Sequence, residues 1–190
     1  MNNLTNLVEL KLVAIKCNSV DFKGLSNIRI LELKQFNLRH IYNLETLINL
    51  NSLVIDNCPV KRLQVLETAV FPSLSCLVLR HLSVRSLNAS AQPSLERITA
   101  SDCQLHEFFP SACCSRLDVS ANECVVQLYL KNVRNLVQLN VSDCAVERLV
   151  LPNSLQSLEF RLLKLQEFRK MQARQVFGHT ARYVHCNKHI

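Results

Sequence analysis

The sequence predicts an α/β solenoid, a single stack of short coils on a parallel sheet, and three observations carry that expectation. First, Leu10, Leu31, Leu53, Leu77, Ile98, Leu117, Leu139 and Leu158 recur at intervals of about 19 to 24 residues, a period that marks internal repeats and stacked coils. Second, one frame returns around these anchors: Leu50-x-x-Leu53-x-Ile55-x-x-Cys58-x-Val60, then Leu95-x-x-Ile98-x-Ala100-x-x-Cys103-x-Leu105, then Leu136-x-x-Leu139-x-Val141-x-x-Cys144-x-Val146. Third, the apolar residues of Leu53-Val54-Ile55 and Leu139-Asn140-Val141 stand two apart, which puts them on one face of a short strand with the intervening residue on the other.

Each repeat thus supplies one strand, and a lone strand cannot bury its apolar face. Stacking the strands in parallel gives a continuous inner core. The remainder of each repeat carries the chain back, adding Leu63, Leu66, Leu87, Phe108, Leu128 and Leu149 to that core. At the ninth frame position the chain leaves the strand and exposes carbonyls that need a donor. Asn122 offers two N–H groups there, and Cys58, Cys103 and Cys144 offer an S–H in a small apolar package. Ile15, Phe36, Leu82 and Leu163 take this position elsewhere, so looser turns are expected at those repeats.

A frame of this form resembles the leucine-rich repeat, and the resemblance runs from about Leu7 to Leu165. It implies a horseshoe of about eight repeats with a parallel concave β-sheet. Residues 1–165 are read as the repeat domain and 166–190 as a basic C-terminal cap helix or flexible tail. Because the sequence enters a repeat within its first residues, whereas a solenoid needs a polar cover over its first coil, the N-terminal cap is expected to be missing from a truncated chain.

Strand residues that alternate away from the core form three rows on the concave side. The first reads Glu9, Ile30, Ser52, Cys76, Arg97, Arg116, Gln138, Ser157; the middle reads Lys11, Glu32, Val54, Val78, Thr99, Asp118, Asn140, Glu159; the third reads Val13, Lys34, Asp56, Arg80, Ser101, Ser120, Ser142, Arg161. Val54, Cys76 and Val78 are expected as an exposed apolar spot, edged by Asp56, Arg80, Arg97 and Arg116, with Thr99 and Asp118 beside them. An apolar centre inside a charged rim is the common organisation of protein interfaces, so this patch is the candidate site for a protein partner.

Composition narrows the alternatives. The net charge is +7, but residues from Arg161 onward carry seven basic groups against Glu167, or +6, which leaves +1 for the repeats. The sheet therefore lacks the basic stripe and stacking aromatics that nucleic acid demands. No run of about 18 apolar residues marks a membrane span. Gly24 and Gly178 are the only glycines, so no phosphate-cradling loop can form. No nucleophile elbow, His-Glu-x-x-His pair or singled-out carboxylate pair points to an enzyme, and no cofactor is implied. His185-Cys186-x-x-His189, with His179 upstream, lacks a matched second pair of ligands, and no metal is assigned. The nine cysteines form no disulfide framework. Bridges among Cys76, Cys113, Cys114, Cys124 and Cys186 are expected only on export, with partners left open.

Asn3-Leu4-Thr5, Asn88-Ala89-Ser90 and Asn140-Val141-Ser142 match the glycosylation acceptor pattern, and Asn88 is the favoured candidate. The stretch Leu117-Asp-Val-Ser-Ala-Asn122, with Val126-Gln-Leu-Tyr-Leu130, Leu139-Asn-Val-Ser-Asp-Cys144 and Val146-Glu-Arg-Leu-Val-Leu-Pro152, resembles the secreted immune leucine-rich proteins of flies and mosquitoes. That resemblance implies an extracellular recognition module, sometimes part of a disulfide-linked complex. Two other readings keep the fold: a cytoplasmic adaptor docking a phosphatase, ubiquitin ligase or cytoskeletal partner, and a fragment of a larger receptor or regulatory enzyme.

Overall fold

The structure is a computed structural model that describes residues 4–35, 37, 40–60, 63–125, 127–146 and 149–160. Its elements are β1 (Glu9–Val13), β2 (Ser19–Asp21), β3 (Ile30–Lys34), β4 (His40–Tyr42), β5 (Ser52–Asp56), α1 (Val65–Thr68), β6 (Cys76–Arg80), β7 (Ser86–Asn88), β8 (Arg97–Ser101), β9 (Glu107–Phe109), β10 (Arg116–Asp118), β11 (Gln127–Leu128), β12 (Gln138–Asn140) and β13 (Ser157–Glu159). Eight of them, β1-β3-β5-β6-β8-β10-β12-β13, form one parallel sheet, one strand per repeat. Seven return segments therefore join the eight strands.

The register is the one that the frame demands. Leu10 pairs with Leu31, Leu31 with Leu53, Leu53 with Leu77, and Leu77 with Ile98; Ile98, Leu117, Leu139 and Leu158 continue the line. Alternation then sends Leu53 and Ile55 wholly inside while Val54 faces outward. Each fully buried leucine contributes about 1.5–3 kcal/mol by leaving water. The core is continuous through the stack, with Phe22, Phe71 and Phe108 as its largest wholly buried members. The six return-segment residues expected in it, Leu63, Leu66, Leu87, Phe108, Leu128 and Leu149, are all buried.

The return segments are more extended than helical. Among the described residues only α1 and a 3-10 turn at Leu44–Thr46 are helical, while β7, β9 and β11 pair as a second parallel sheet and β2 pairs with β4. With about 19 to 24 residues per repeat and a strand in each, little chain is left for a helix. Side chains also stitch coil to coil: Asn27, Asn49 and Asn51 donate to the carbonyls of Thr5, Ser26 and Ser73 at 2.7, 3.0 and 3.1 Å.

A feature without a sequence signature ends each long strand. Ala14, Gln35, Asn57, His81, Asp102, Ala121 and Asp143 all hold positive φ, between 49° and 56°, at the eighth frame position. In the left-handed region the backbone turns sharply off the strand. Six of these residues still donate N–H to the next coil: Ala14 to Lys34, Gln35 to Asp56, Asn57 to Arg80, His81 to Ser101, Asp102 to Ser120 and Ala121 to Ser142. The sheet's ladder is thereby extended by one rung past the strands while the chain turns.

Candidate functional site

The first and middle predicted rows assemble strand by strand on the solvent face of the eight-stranded sheet. Glu9, Ile30, Ser52, Cys76, Arg97, Arg116, Gln138 and Ser157 are successive register partners, as are Lys11, Glu32, Val54, Val78, Thr99, Asp118, Asn140 and Glu159. Val54 lies beside Val78, Val78 beside Thr99, Cys76 beside Arg97, and Asp56 beside Arg80. All nine candidate residues, Val54, Asp56, Cys76, Val78, Arg80, Arg97, Thr99, Arg116 and Asp118, therefore share one face within four adjacent strands. Val54, Cys76 and Val78 are half-buried, not exposed as expected, since neighbouring strands about 4.8 Å away shade short side chains. Arg80, Arg97 and Arg116 are exposed.

Charge is arranged unevenly along this face. At the N-terminal end the ionic groups satisfy one another: Lys11 Nζ lies 2.7 Å from Glu9 and 3.6 Å from Glu32, and Lys34 Nζ lies 2.8 Å from Glu32. The Glu9 carboxylate raises the Lys11 pKa above the ordinary lysine range, and the Lys34 ammonium holds Glu32 below the usual carboxylate range. At the strand ends His81 Nδ1 lies 2.8 Å from Asp56 Oδ1 and its Nε2 4.0 Å from Asp102. Arg97 and Arg116 stand side by side in register, with no ion pair to any described carboxylate. A shallow trough of about 510 Å³ runs over this half, lined among others by Cys76, Arg97, Thr99, Arg116, Asp118 and Glu159.

The third row departs from expectation at its C-terminal end. Ser142 is buried and Ser120 half-buried, because β10 and β12 stop two residues short of β8's length. Asp118 Oδ1 and Asn140 Oδ1 accept the Ser120 and Ser142 N–H groups at 3.0 Å each, and such local bonds compete with the ladder.

The turn residues behave as donors. Asn122, wholly buried, donates Nδ2 to the carbonyls of Ala100, Val119 and Ser120 at 2.6, 2.7 and 3.2 Å, while its Oδ1 accepts from the Cys103 and Leu105 N–H groups at 2.9 and 3.1 Å. Cys144 Sγ donates to Val119 at 3.0 Å, Cys58 Sγ to Asp56 at 3.4 Å and Leu33 at 3.6 Å, and Cys103 Sγ to Ser101 at 3.2 Å. Burial pushes the Cys103 thiol up to about 12 and the Cys144 thiol up to about 11. The turn at Leu82 is not loose: its side chain is buried and its N–H donates to Asp102 at 3.2 Å. Ile15 is exposed.

Cys114 was not identified by its pattern. It opens the frame Cys114-x-x-Leu117-x-Val119, where other repeats carry leucine, and is wholly buried, with its thiol pushed up to about 12 by desolvation. Its N–H donates to Ser111 as Leu50 does to Leu47 and Leu74 to Phe71. It is thus a core residue and not an accessible disulfide partner, whereas Cys113 and Cys124 are exposed. Asn88 is half-buried at the end of edge strand β7, its Oδ1 accepting from the Ser90 N–H and hydroxyl at 3.0 and 2.7 Å. No group of His, Cys, Asp and Glu suited to a metal, and no helix long and apolar enough to cross a membrane, occurs among the described residues. Phe36, Leu163, Arg161, Asn3, and segment 166–190 with His179, His185, Cys186 and His189 lie outside the described residues.

No family model and no curated protein matches the chain. Among solved structures it is similar to the functional domain of InlJ from Listeria monocytogenes, which includes a cysteine ladder: 19% identity, TM-score 0.73, covering 87% of this chain and 37% of that one. It is less similar to an internalin (inlF) from Listeria monocytogenes, at 14% identity and TM-score 0.37 over 85% of this chain and 76% of that one. The plant peptide hormone receptor RGFR1 in complex with RGF2 aligns at 12% identity and TM-score 0.46, over 85% of this chain and 33% of that one. The chain thus spans little more than a third of the InlJ domain. Fold, register and this likeness define the class: a leucine-rich-repeat-like parallel solenoid.

Proposed function

We propose that the chain is a non-catalytic recognition module that binds a protein partner on the solvent face of its eight-stranded sheet. The observation that carries this reading is the register, which gathers half-buried Val54, Cys76, Val78 and Thr99 and rims them with Asp56, Arg80, Arg97, Arg116 and Asp118. A desolvatable centre inside a charged border suits a protein surface. The test is affinity capture from the native source with the wild-type chain, Val78→Asp and Arg97→Glu, with circular dichroism to verify folding. Loss of the same captured protein in both variants is expected, and its undiminished retention by both overturns the reading.

For the compartment, we propose export and a role in innate recognition. Support comes from the resemblance of the Leu117–Pro152 repeats to secreted insect proteins and from the Asn88 acceptor, whose Nδ2 no described residue occupies. A cytoplasmic adaptor is the second reading, favoured by the buried thiols of Cys103, Cys114 and Cys144. Mass spectrometry of native protein separates them: a processed N-terminus with a glycan on Asn88 supports export, and nine reduced thiols with an unmodified Asn88 support the adaptor.

A further inference from the structure

We infer that the C-terminal half of this face is a dipolar docking strip for an extended protein segment that presents a carboxylate to Arg97 and Arg116 and a cationic side chain to Asp118, with Glu159 two strands further along the same row adding negative charge. The inference rests on the protein-binding reading above and adds the partner's chemistry.

The two arginines occupy paired positions on β8 and β10, so their backbones are about 4.8 Å apart. Like charges so placed repel, yet neither has an ion pair among the described residues. The contrast with the other end of the same sheet is informative. There, Glu9, Lys11, Glu32 and Lys34 neutralise one another, which leaves nothing for a charged partner. A carboxylate lodged between Arg97 and Arg116 would relieve their repulsion and take the two-pronged geometry that guanidinium groups favour.

The neighbouring row fixes the other half of the motif. Asp118 lies two residues along β10 from Arg116, about 6.6 Å at the rise of a strand. Its orientation is held by the Ser120 N–H, and Glu159 stands exposed in the same row, beside Asn140. An extended peptide repeats its side-chain direction every two residues. An acid and a base two positions apart on such a peptide therefore match the two rows. The same carboxylates repel phosphate, which argues against a polynucleotide or an anionic membrane as the occupant. The trough of about 510 Å³ lies over these groups.

The test is selection from a phage-displayed random peptide library on the full chain, alongside Arg97→Glu/Arg116→Glu, Asp118→Lys/Glu159→Lys and Val78→Asp. The expected result is enrichment of peptides carrying Asp or Glu two positions from Lys or Arg, whose affinity falls at least tenfold with either double variant and less at 0.5 M salt. Apolar peptides that are lost only with Val78→Asp would overturn the dipolar strip and leave the face's binding role standing. Peptides indifferent to all three variants, or no enrichment at all, overturn both. Preferential binding of a labelled oligonucleotide at Arg97 and Arg116 also overturns the inference.

Discussion

Asn122 shows how much of this fold hangs on single polar atoms. One buried side chain closes five hydrogen bonds, to Ala100, Val119, Ser120, Cys103 and Leu105. Replacing it with leucine orphans the Cys103 and Leu105 N–H groups and takes its donor from the Ala100 carbonyl, each costing about 1–3 kcal/mol, while the Val119 carbonyl keeps the Cys144 thiol and the Ser120 carbonyl keeps the Asp102 N–H. Asn122→Leu is therefore expected to destabilise by about 3 kcal/mol or more in urea unfolding. Asn122→Cys should cost less, because Cys144 already reaches the Val119 carbonyl from the same frame position. Gln92 works on the same logic, donating to Leu66 and Ala69 at 2.7 and 2.8 Å while accepting from the Phe71 N–H at 3.0 Å. Its polarity is invisible to a hydrophobic frame, so nothing in the sequence marked it as buried.

At the scale of the element, strand and turn obey different constraints. The strands were legible because alternation of side chains is a backbone property: once Leu53 and Ile55 point inward, Val54 must point outward. The first and middle solvent rows followed directly, and the third only as far as Ser101, where the strands are long enough to carry it. The turns were less legible because positive φ here falls on Ala and Gln as well as on Asn, Asp and His, the non-glycine residues enriched there. Cys114 was misread for a related reason: cysteine can replace leucine in a core, but spacing arguments treat it as a bridge. The half-burial of Val54 and Val78 depends on neighbouring strands and lies beyond any single repeat. Ala121 gives a direct test of the turn geometry, since its φ is 55°. Ala121→Gly is expected to leave stability unchanged or raise it by up to about 1 kcal/mol, while Ala121→Val lowers it by about 1–2 kcal/mol. Thermal denaturation of the two variants measures the difference.

For the whole molecule, one buried core shared by all coils makes stability respond collectively to pH. Cys103 and Cys114 are held near 12 and Cys144 near 11, against an ordinary thiol value of 9.0. Above pH 9 the unfolded chain releases these protons while the folded chain keeps them, so the folded state binds more protons and loses stability as pH rises. Well below pH 9, where both states keep the proton, these thiols contribute no pH dependence. At pH 10 each accounts for a loss on the order of 1 kcal/mol. Chemical denaturation between pH 8 and 10.5 is expected to show this decline, reduced by about a third in Cys114→Ala after allowing for that variant's own cavity cost.

The same continuous ladder has a mechanical meaning. Each strand between the edge strands β1 and β13 bonds to the coil before it and the coil after it, and the rungs at Ala14, Gln35, Asn57, His81, Asp102 and Ala121 carry that bonding around the corner. Tension applied between the two ends therefore meets rungs one coil at a time, and peels the stack from its termini instead of breaking it in the middle. Each released coil of about 19 to 24 residues adds roughly 65–85 Å of slack, so single-molecule force spectroscopy is expected to record extension in steps of that size, with the sheet shortening by one strand at each step.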